Sequence, residues 1–261
     1  FGYGDRYCSG LLFWYHNCPE RQVCARMWDW SLEPTASLYH TQNALEPLHP
    51  QFDYLKNTVS VYNDYLKAFR NYVVTAEVYD LNSKKVSSVS KKLEVIPEDG
   101  VLNNLLKLDF KQDITPVHFI RLRLLDDKGK EVASNFYWRS TDRYLGKTTN
   151  TGPAAGGFAP LNTMKTTGLN TKYRVIEDGQ INKIEVMLKN TSNVIAFFTQ
   201  IQLLDKEKEP VRPSFYTDNF FTLLPGESKD ITIETAKKNT AINSCTLVVK
   251  GWNVKTMQYP L

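Results

Sequence analysis

Long apolar runs, cysteine, histidine and charge of a single sign are all scarce in this 261-residue chain. No apolar run reaches the roughly 18–20 residues that a bilayer-crossing helix needs, so no membrane span is expected. Lysine and arginine total 32 against 28 aspartate and glutamate, a formal net charge of only +4. The signs are interspersed, as in Asp205-Lys206-Glu207-Lys208-Glu209, which reads as a solvated surface and offers no basic stripe for nucleic acid. Of the 4 cysteines, Cys8, Cys18 and Cys24 cluster near the start and Cys245 lies far away. Their spacings match no Cys-x-x-Cys zinc pattern, so no metal site is expected, and no cofactor is implied. A disulfide between two of the first three stays open beside the plainer reading of buried thiols acting as small hydrophobes. His118 sits in an apolar stretch with no second metal ligand nearby and reads as a structural histidine. The chain opens at Phe1 with neither Met nor a charged-then-apolar leader. Such a start is how a fragment begins, so the absence of a leader here carries no information on targeting.

What is present points to packed cores. Fourteen Tyr, 13 Phe and 5 Trp argue against disorder. The length suits two domains, since domains of roughly 100–150 residues are commonest. Residues 1–47 read as strand, loop and helix. Gly10-Leu11-Leu12-Phe13-Trp14-Tyr15 is a short continuous apolar run, the pattern of a strand buried on both faces of a parallel sheet. Pro34 then fits the first turn of a helix running through Ala44. A lone β/α unit cannot bury both faces of its strand, so it must belong to something larger or lean on the next domain.

Residues 48–140 switch to period-2 alternation, clean in Thr58–Asn63 and again in Val74, Ala76, Val78 and Tyr79. Further strands are expected at Leu93–Ile96, Leu105–Phe110, Val117–Leu125 and Glu131–Trp138, with Asp126-Asp127-Lys128-Gly129 as a hairpin turn. Residues 141–168, with Gly152-Pro153-Ala154-Ala155-Gly156-Gly157, read as a linker or mobile loop. Residues 169–261 return to the sandwich pattern. Strands are expected at Ile181–Asn190 (Ile184, Val186 and Leu188 on one face), Phe197–Leu204, Asp230–Glu234 and Thr246–Val249. The fold class is therefore mostly β, two immunoglobulin-like sandwiches after a short β/α segment.

Several stretches, taken in order, resemble the retaining family 2 glycoside hydrolases of the β-mannosidase and exo-β-glucosaminidase branch. Gly10 to Pro19 is similar to the end of that family's last barrel strand. Trp28-Asp29-Trp30, then Pro34, Ala36 and Tyr39, then Glu46-Pro47-Leu48-His49 resemble the loop and helix that follow it. Asn135-Phe136-Tyr137-Trp138 is similar to the end of the family's penultimate sandwich, and Ser214 to Glu227 to the signature of its last one. The resemblance implies the C-terminal part of a larger enzyme that removes terminal β-linked sugars: a TIM-barrel remnant, an immunoglobulin-like sandwich, a linker and a second sandwich. The chain departs from the family pattern at Glu20 and Ala25, where relatives carry aromatics, so sugar specificity does not carry over.

A retaining glycosidase needs two carboxyl groups about 5–5.5 Å apart. In the family both are glutamates on earlier barrel strands, which this sequence does not contain. Among Glu20, Asp29, Glu33 and Glu46 no spacing pairs two side chains in a pocket, so the chain alone is expected to be catalytically inactive. Barrel active sites lie at the C-terminal ends of the strands. Trp14 is therefore the candidate platform for a sugar ring and Asn17 the candidate hydrogen-bonding partner of a hydroxyl, while His16 and Asp29 are expected to order the loop. Trp138 and Trp252 read as core or interface residues, and Asp218 and Asn219 as a turn fixed by side-chain to backbone bonds. The partners implied are the carbohydrate substrate and the absent barrel, and the location favoured is exported, periplasmic or extracellular. Two competing readings are a carbohydrate-binding or adhesive sandwich pair and an immunoglobulin-like protein–protein module, because fold alone does not give function.

Overall fold

The structure is a computed structural model that describes residues 12–13, 16–20, 26–110, 113–141, 155–239 and 241–261. They fall into two compact units, one of residues 43–164 and one that joins the described residues up to 42 with residues 165–261. The strand expected at Gly10–Tyr15 lies mostly outside the described residues. Its described members, Leu12 and Phe13, are exposed and in no strand, so the barrel remnant is not among the elements seen. The one α-helix among the described residues, α1, spans Ala36–Ala44. It begins after Pro34 because Pro34 forms a bridge with Trp28, and the Thr35 hydroxyl caps the Ser37 N–H at 3.2 Å.

Residues 43–164 build the first sandwich. Its strands are β1 (Leu48–Asp53), β2 (Thr58–Asn63), β3 (Phe69–Asp80), β4 (Lys85–Ile96), β5 (Gly100–Lys107), β6 (Val117–Leu125) and β7 (Glu131–Ser140). They form a three-stranded sheet in the order β1-β2-β5 and a four-stranded sheet in the order β4-β3-β6-β7, every pair antiparallel. Val59, Val61, Val74, Ala76, Val78, Ile120, Leu122 and Leu124 alternate into the space between them. Burying each such side chain is worth about 1.5–3 kcal/mol. β2 does not alternate as expected: all six of its residues are buried. Tyr62 stacks on His49, the Thr58 hydroxyl donates to Asn104, and Ser60 accepts the Asn104 N–H, so its second face is covered too. The Asn-Phe-Tyr-Trp stretch divides its work between the faces of β7. Asn135 donates to the Pro50 carbonyl and the Tyr137 hydroxyl accepts the Phe52 N–H, tying β7 to β1, while Phe136 packs on Phe119 behind the sheet.

The second sandwich contains β8 (Asn170–Asp178), β9 (Ile181–Lys189), β10 (Ala196–Leu204), β11 (Ser214–Tyr216), β12 (Phe221–Leu223), β13 (Ser228–Ala236), β14 (Thr246–Lys250) and β15 (Met257–Pro260). Its sheets run β11-β13-β9-β8 and β12-β10-β14-β15. Ile184, Val186 and Leu188 face the core as expected, with Ile201, Leu203, Ile231, Ile233, Leu247 and Val249 opposite or beside them. Trp252, expected in a core or at an interface, is half exposed and so is not a core residue of this sandwich.

The two sandwiches repeat one corner. Asn63, at the end of β2, donates to the Lys67 carbonyl at 2.8 Å and the Pro97 carbonyl at 2.7 Å, and accepts the Tyr65 N–H at 3.1 Å. Asn190, just after β9, donates to Val194 at 2.8 Å and Leu223 at 2.9 Å, and accepts the Ser192 N–H at 3.1 Å. Both asparagines are fully buried, and these bonds satisfy the polar atoms of each side chain away from water. Three hairpin turns share a second device. Asp80, Asp126 and Asp205 each accept the N–H groups two and four residues on, and the fourth residue of each turn, Ser83, Gly129 or Lys208, has positive φ.

Each sandwich also has an outer sheet face covered by a segment from outside its strands. Residues 141–168, expected as a linker, are described from 155 onward, where Ala155–Thr163 forms a 3-10 helix against β6. Phe119 is therefore fully buried although it points away from the first core. In the second unit the loop 26–35 and α1 take the corresponding part on the β12-β10-β14-β15 sheet: Tyr39 packs on Phe220, and His40 on Phe198.

Candidate functional site

Trp14 lies outside the described residues. Asn17 is described, and its surroundings are built from the backbone upward. Asn17 forms a parallel bridge with Trp28, whose N–H donates to the His16 carbonyl at 3.3 Å and whose ring stacks on His16. The Arg26 guanidinium donates to the Asn17 carbonyl at 2.5 Å. The Asn17 side chain itself makes only a long 3.5 Å contact with the Cys18 carbonyl. Cys18 is buried and disulfide-bonded, so of the two alternatives left open for it the disulfide holds and the buried thiol does not. Cys245 is a buried free thiol.

Asp29 orders the following turn. Its carboxylate accepts the Ser31 N–H at 2.8 Å, the Ser31 hydroxyl at 2.8 Å and the Glu33 N–H at 2.9 Å, while the Asp29 N–H returns to the Glu33 carbonyl at 3.0 Å. The Thr35 hydroxyl donates to the Arg26 carbonyl and its N–H to Met27 at 2.9 Å. Asp29 thus fixes the main chain of this turn at Ser31 and Glu33, which is the role expected of it.

The residues that reasoning from sequence missed are Glu33, Gln202 and Lys250. The Gln202 amide donates to the Glu33 carboxylate at 2.7 Å, and its oxygen accepts from the Lys250 ammonium at 3.2 Å. An amide thus joins an ammonium on β14 to a carboxylate on the loop. Burial raises the Glu33 carboxyl above its ordinary value; the Gln202 bond and the Arg212 and Lys250 charges oppose that rise, and the Asp29 charge adds to it. Asp29 and Glu33 are thus electrostatically coupled, a pair the sequence spacing did not suggest. Both carboxylates are committed to hydrogen bonds, so this pair orders the loop and is not poised for acid/base work. The sequence held one usable signal: an acidic residue four after Asp29 across a tight turn.

Elsewhere the candidates are structural. Asn219 pairs with the Ile201 backbone through two bonds of 2.8 Å, Asp218 accepts the Asn219 N–H and pairs with Lys229, and the Tyr216 hydroxyl accepts the Leu203 N–H at 2.9 Å. His118 is buried against Phe110, with Nδ1 3.4 Å from the Thr115 carbonyl. Burial holds its pKa down at about 4, so it is neutral at physiological pH. Behind the first sandwich Glu77 gathers Lys85 at 2.6 Å, Tyr79 at 2.9 Å and Arg123 at 3.1 Å, and Arg123 goes on to Glu131 at 3.2 Å. Among the described residues the exposed aromatics Phe13, Trp30, Tyr54, Tyr65, Phe158, Tyr173, Phe215 and Trp252 are spread over loops, turns and strands of both units. Among the described residues no group of three His, Cys, Asp or Glu side chains could hold a metal ion, and no helix is long and apolar enough to cross a membrane.

Comparison with known proteins agrees with this architecture. Residues 148–254 match the exo-β-D-glucosaminidase Ig-fold domain family, and residues 56–144 match the mannosidase Ig/CBM-like domain family. An exo-β-D-glucosaminidase of Amycolatopsis orientalis is 25% identical over 97% of this chain and 25% of its own length. One of Arthroderma benhamiae is 28% identical over 95% of this chain and 28% of its own. The crystal structure of the Amycolatopsis orientalis exo-chitosanase superposes with a TM-score of 0.83 at 23% identity, over 97% of this chain and 31% of that one. The chain spans about a quarter to a third of the length of these relatives.

Proposed function

From a chain whose two sandwiches belong to the immunoglobulin-like domain families of exo-β-D-glucosaminidases and mannosidases, we propose that it is the C-terminal, non-catalytic part of a retaining exo-β-glycosidase. The whole enzyme would remove terminal β-linked glucosamine or mannose residues. The observation that carries the reading is the extent of the match: relatives named exo-β-D-glucosaminidase align over 95–97% of the chain, which takes in the loop–helix segment before the first sandwich. The two catalytic glutamates would lie on barrel strands outside this sequence.

In this reading residues 1–47 end the barrel and line one wall of the sugar site. Trp14 offers a flat apolar face to a ring's C–H groups, and Asn17 a hydrogen bond to a hydroxyl. The loop suits that task, because Arg26, Trp28, Asp29 and Thr35 spend their bonds on holding its backbone. The sandwiches are the props on which the barrel rests. A disulfide at Cys18 fits an exported protein, because such bonds persist in oxidising compartments.

The test is hydrolysis of aryl β-D-glucosaminides and β-mannosides. The full-length protein turns over one of them, and in that protein Trp14→Ala and Asn17→Ala raise KM. An upstream sequence without two strand-end glutamates would refute the enzyme reading.

A further inference from the structure

The bonds around Glu33 run without a break from the last sandwich to Asn17. Lys250 on β14 donates to Gln202 on β10, and Gln202 donates to Glu33. Glu33 exchanges main-chain and side-chain bonds with Asp29, and the adjoining Pro34 bridges Trp28. Trp28 in turn bridges Asn17, whose carbonyl is held by Arg26. Gln202 points away from the sandwich core: its β14 neighbour is Val248, while Ile201 and Leu203 on either side face inward. Its polar contacts therefore contribute to the loop and not to the packing of the sheet.

The orientation of the amide matters. Lys250 can only donate, so the Gln202 oxygen faces it and the NH₂ group is presented to the carboxylate. A hydrogen bond to a half-buried carboxylate is among the stronger ones, and removing its donor leaves the charge short of a partner. Thr35 and Asp29 brace the loop internally, and Gln202 to Glu33 is a polar bond between that loop and a sheet.

We propose that Gln202 and Glu33 are positioning residues: the last sandwich, through this amide–carboxylate bond, sets the place of the loop that presents Asn17 to the sugar. The proposal rests on the functional reading above. It gives the distal sandwich a part in substrate binding in addition to support.

The test uses the full-length protein with Gln202→Leu, Lys250→Met and Glu33→Gln, followed by amide hydrogen exchange and by kinetics on an aryl β-D-glucosaminide. Gln202→Leu speeds exchange at Trp28, Asp29, Glu33 and Thr35 about ten-fold and leaves Ile184 and Ile231 in the core strands unchanged. It raises KM about three- to ten-fold while kcat stays within about two-fold. Lys250→Met, which leaves Gln202 in place without its ammonium partner, gives a smaller change of the same kind. Glu33→Gln keeps an acceptor for the amide but not its charge, and gives changes of the same kind smaller than those of Gln202→Leu in both readouts. Unchanged loop exchange in both Gln202→Leu and Lys250→Met overturns the coupling. Faster loop exchange with an unchanged KM overturns the positioning role. A wild-type protein inactive on every aryl β-glycoside overturns the functional reading and the substrate half of this proposal with it, while the exchange arm still decides the coupling.

Discussion

The two sandwiches share a corner but differ in what covers them. Asn63 and Asn190 make the same three bonds at equivalent strand ends. The outer face of the first is covered by residues 155–163, which follow its last strand closely in sequence. The outer face of the second is covered by residues 26–42, which come from before the first sandwich begins. The first unit can therefore complete itself from a nearly local stretch of chain. The second needs a segment far upstream, so its loop-closure cost is larger and its last contacts form late. The segment that completes it is also the one proposed to reach the sugar.

The equivalence of the corners is open to the harshest test. Asn63→Ala and Asn190→Ala should each cost about 3 kcal/mol, because each removes three hydrogen bonds made by a fully buried side chain. Urea unfolding of the two variants measures it, and a cost at Asn63 well below that at Asn190 would break the comparison. The first sandwich should be acid-sensitive through His118. His118 has a folded pKa of about 4 against an ordinary 6.5, so the unfolded chain takes up its proton first. The associated stability is whole above pH 6.5 and is lost as pH falls toward 4, about 3 kcal/mol in all. Arg139 and Asp80 are its cross-strand neighbours, and the Arg139 charge adds to the depression. Replacing His118 by Leu should flatten stability across that range, as thermal melts at stepped pH will show.

Deleting residues 1–45 should lower the stability of the second sandwich by about 2 kcal/mol, through exposure of Phe198, Phe220 and Val248. Amide protection at Ile201 and Leu203 would fall while protection at Val74 and Val78 would hold. The smallest effects sit in the shared hairpin turns. Ser83→Gly and Lys208→Gly should each stabilise by about 0.5–1 kcal/mol, and Gly129→Ala should destabilise by about 1 kcal/mol, since all three positions have positive φ. Denaturant midpoints resolve changes of that size.

Which strands could be read from sequence follows from where they lie. The interior strands β2, β3, β6, β9, β10, β13 and β14 all announced themselves by apolar residues, most of them alternating, because neighbours on both sides and a core beneath demand it. The elements not foreseen are edges. β1 carries Pro50, tolerable where one side of the strand is unpaired; the first half of β4 reads Lys85-Val86-Ser87-Ser88; and β8, β11, β12 and β15 are polar or very short. The loop 26–35 was legible in part. Asp29 was foreseen, with His16, as a residue that orders the loop, and Asn17 was named as a candidate. Glu33 was not, because its importance depends on Gln202, 169 positions away. No local pattern records such a contact.

The central claim is that these sandwiches and their leading loop serve a catalytic barrel that this chain does not include. The most direct measurement compares hydrolysis of an aryl β-D-glucosaminide and an aryl β-mannoside by this chain alone and by the full-length protein. The account predicts turnover of one substrate by the full-length protein and only background from the chain. Turnover by the chain alone, or none from the full-length protein on either substrate, would contradict it.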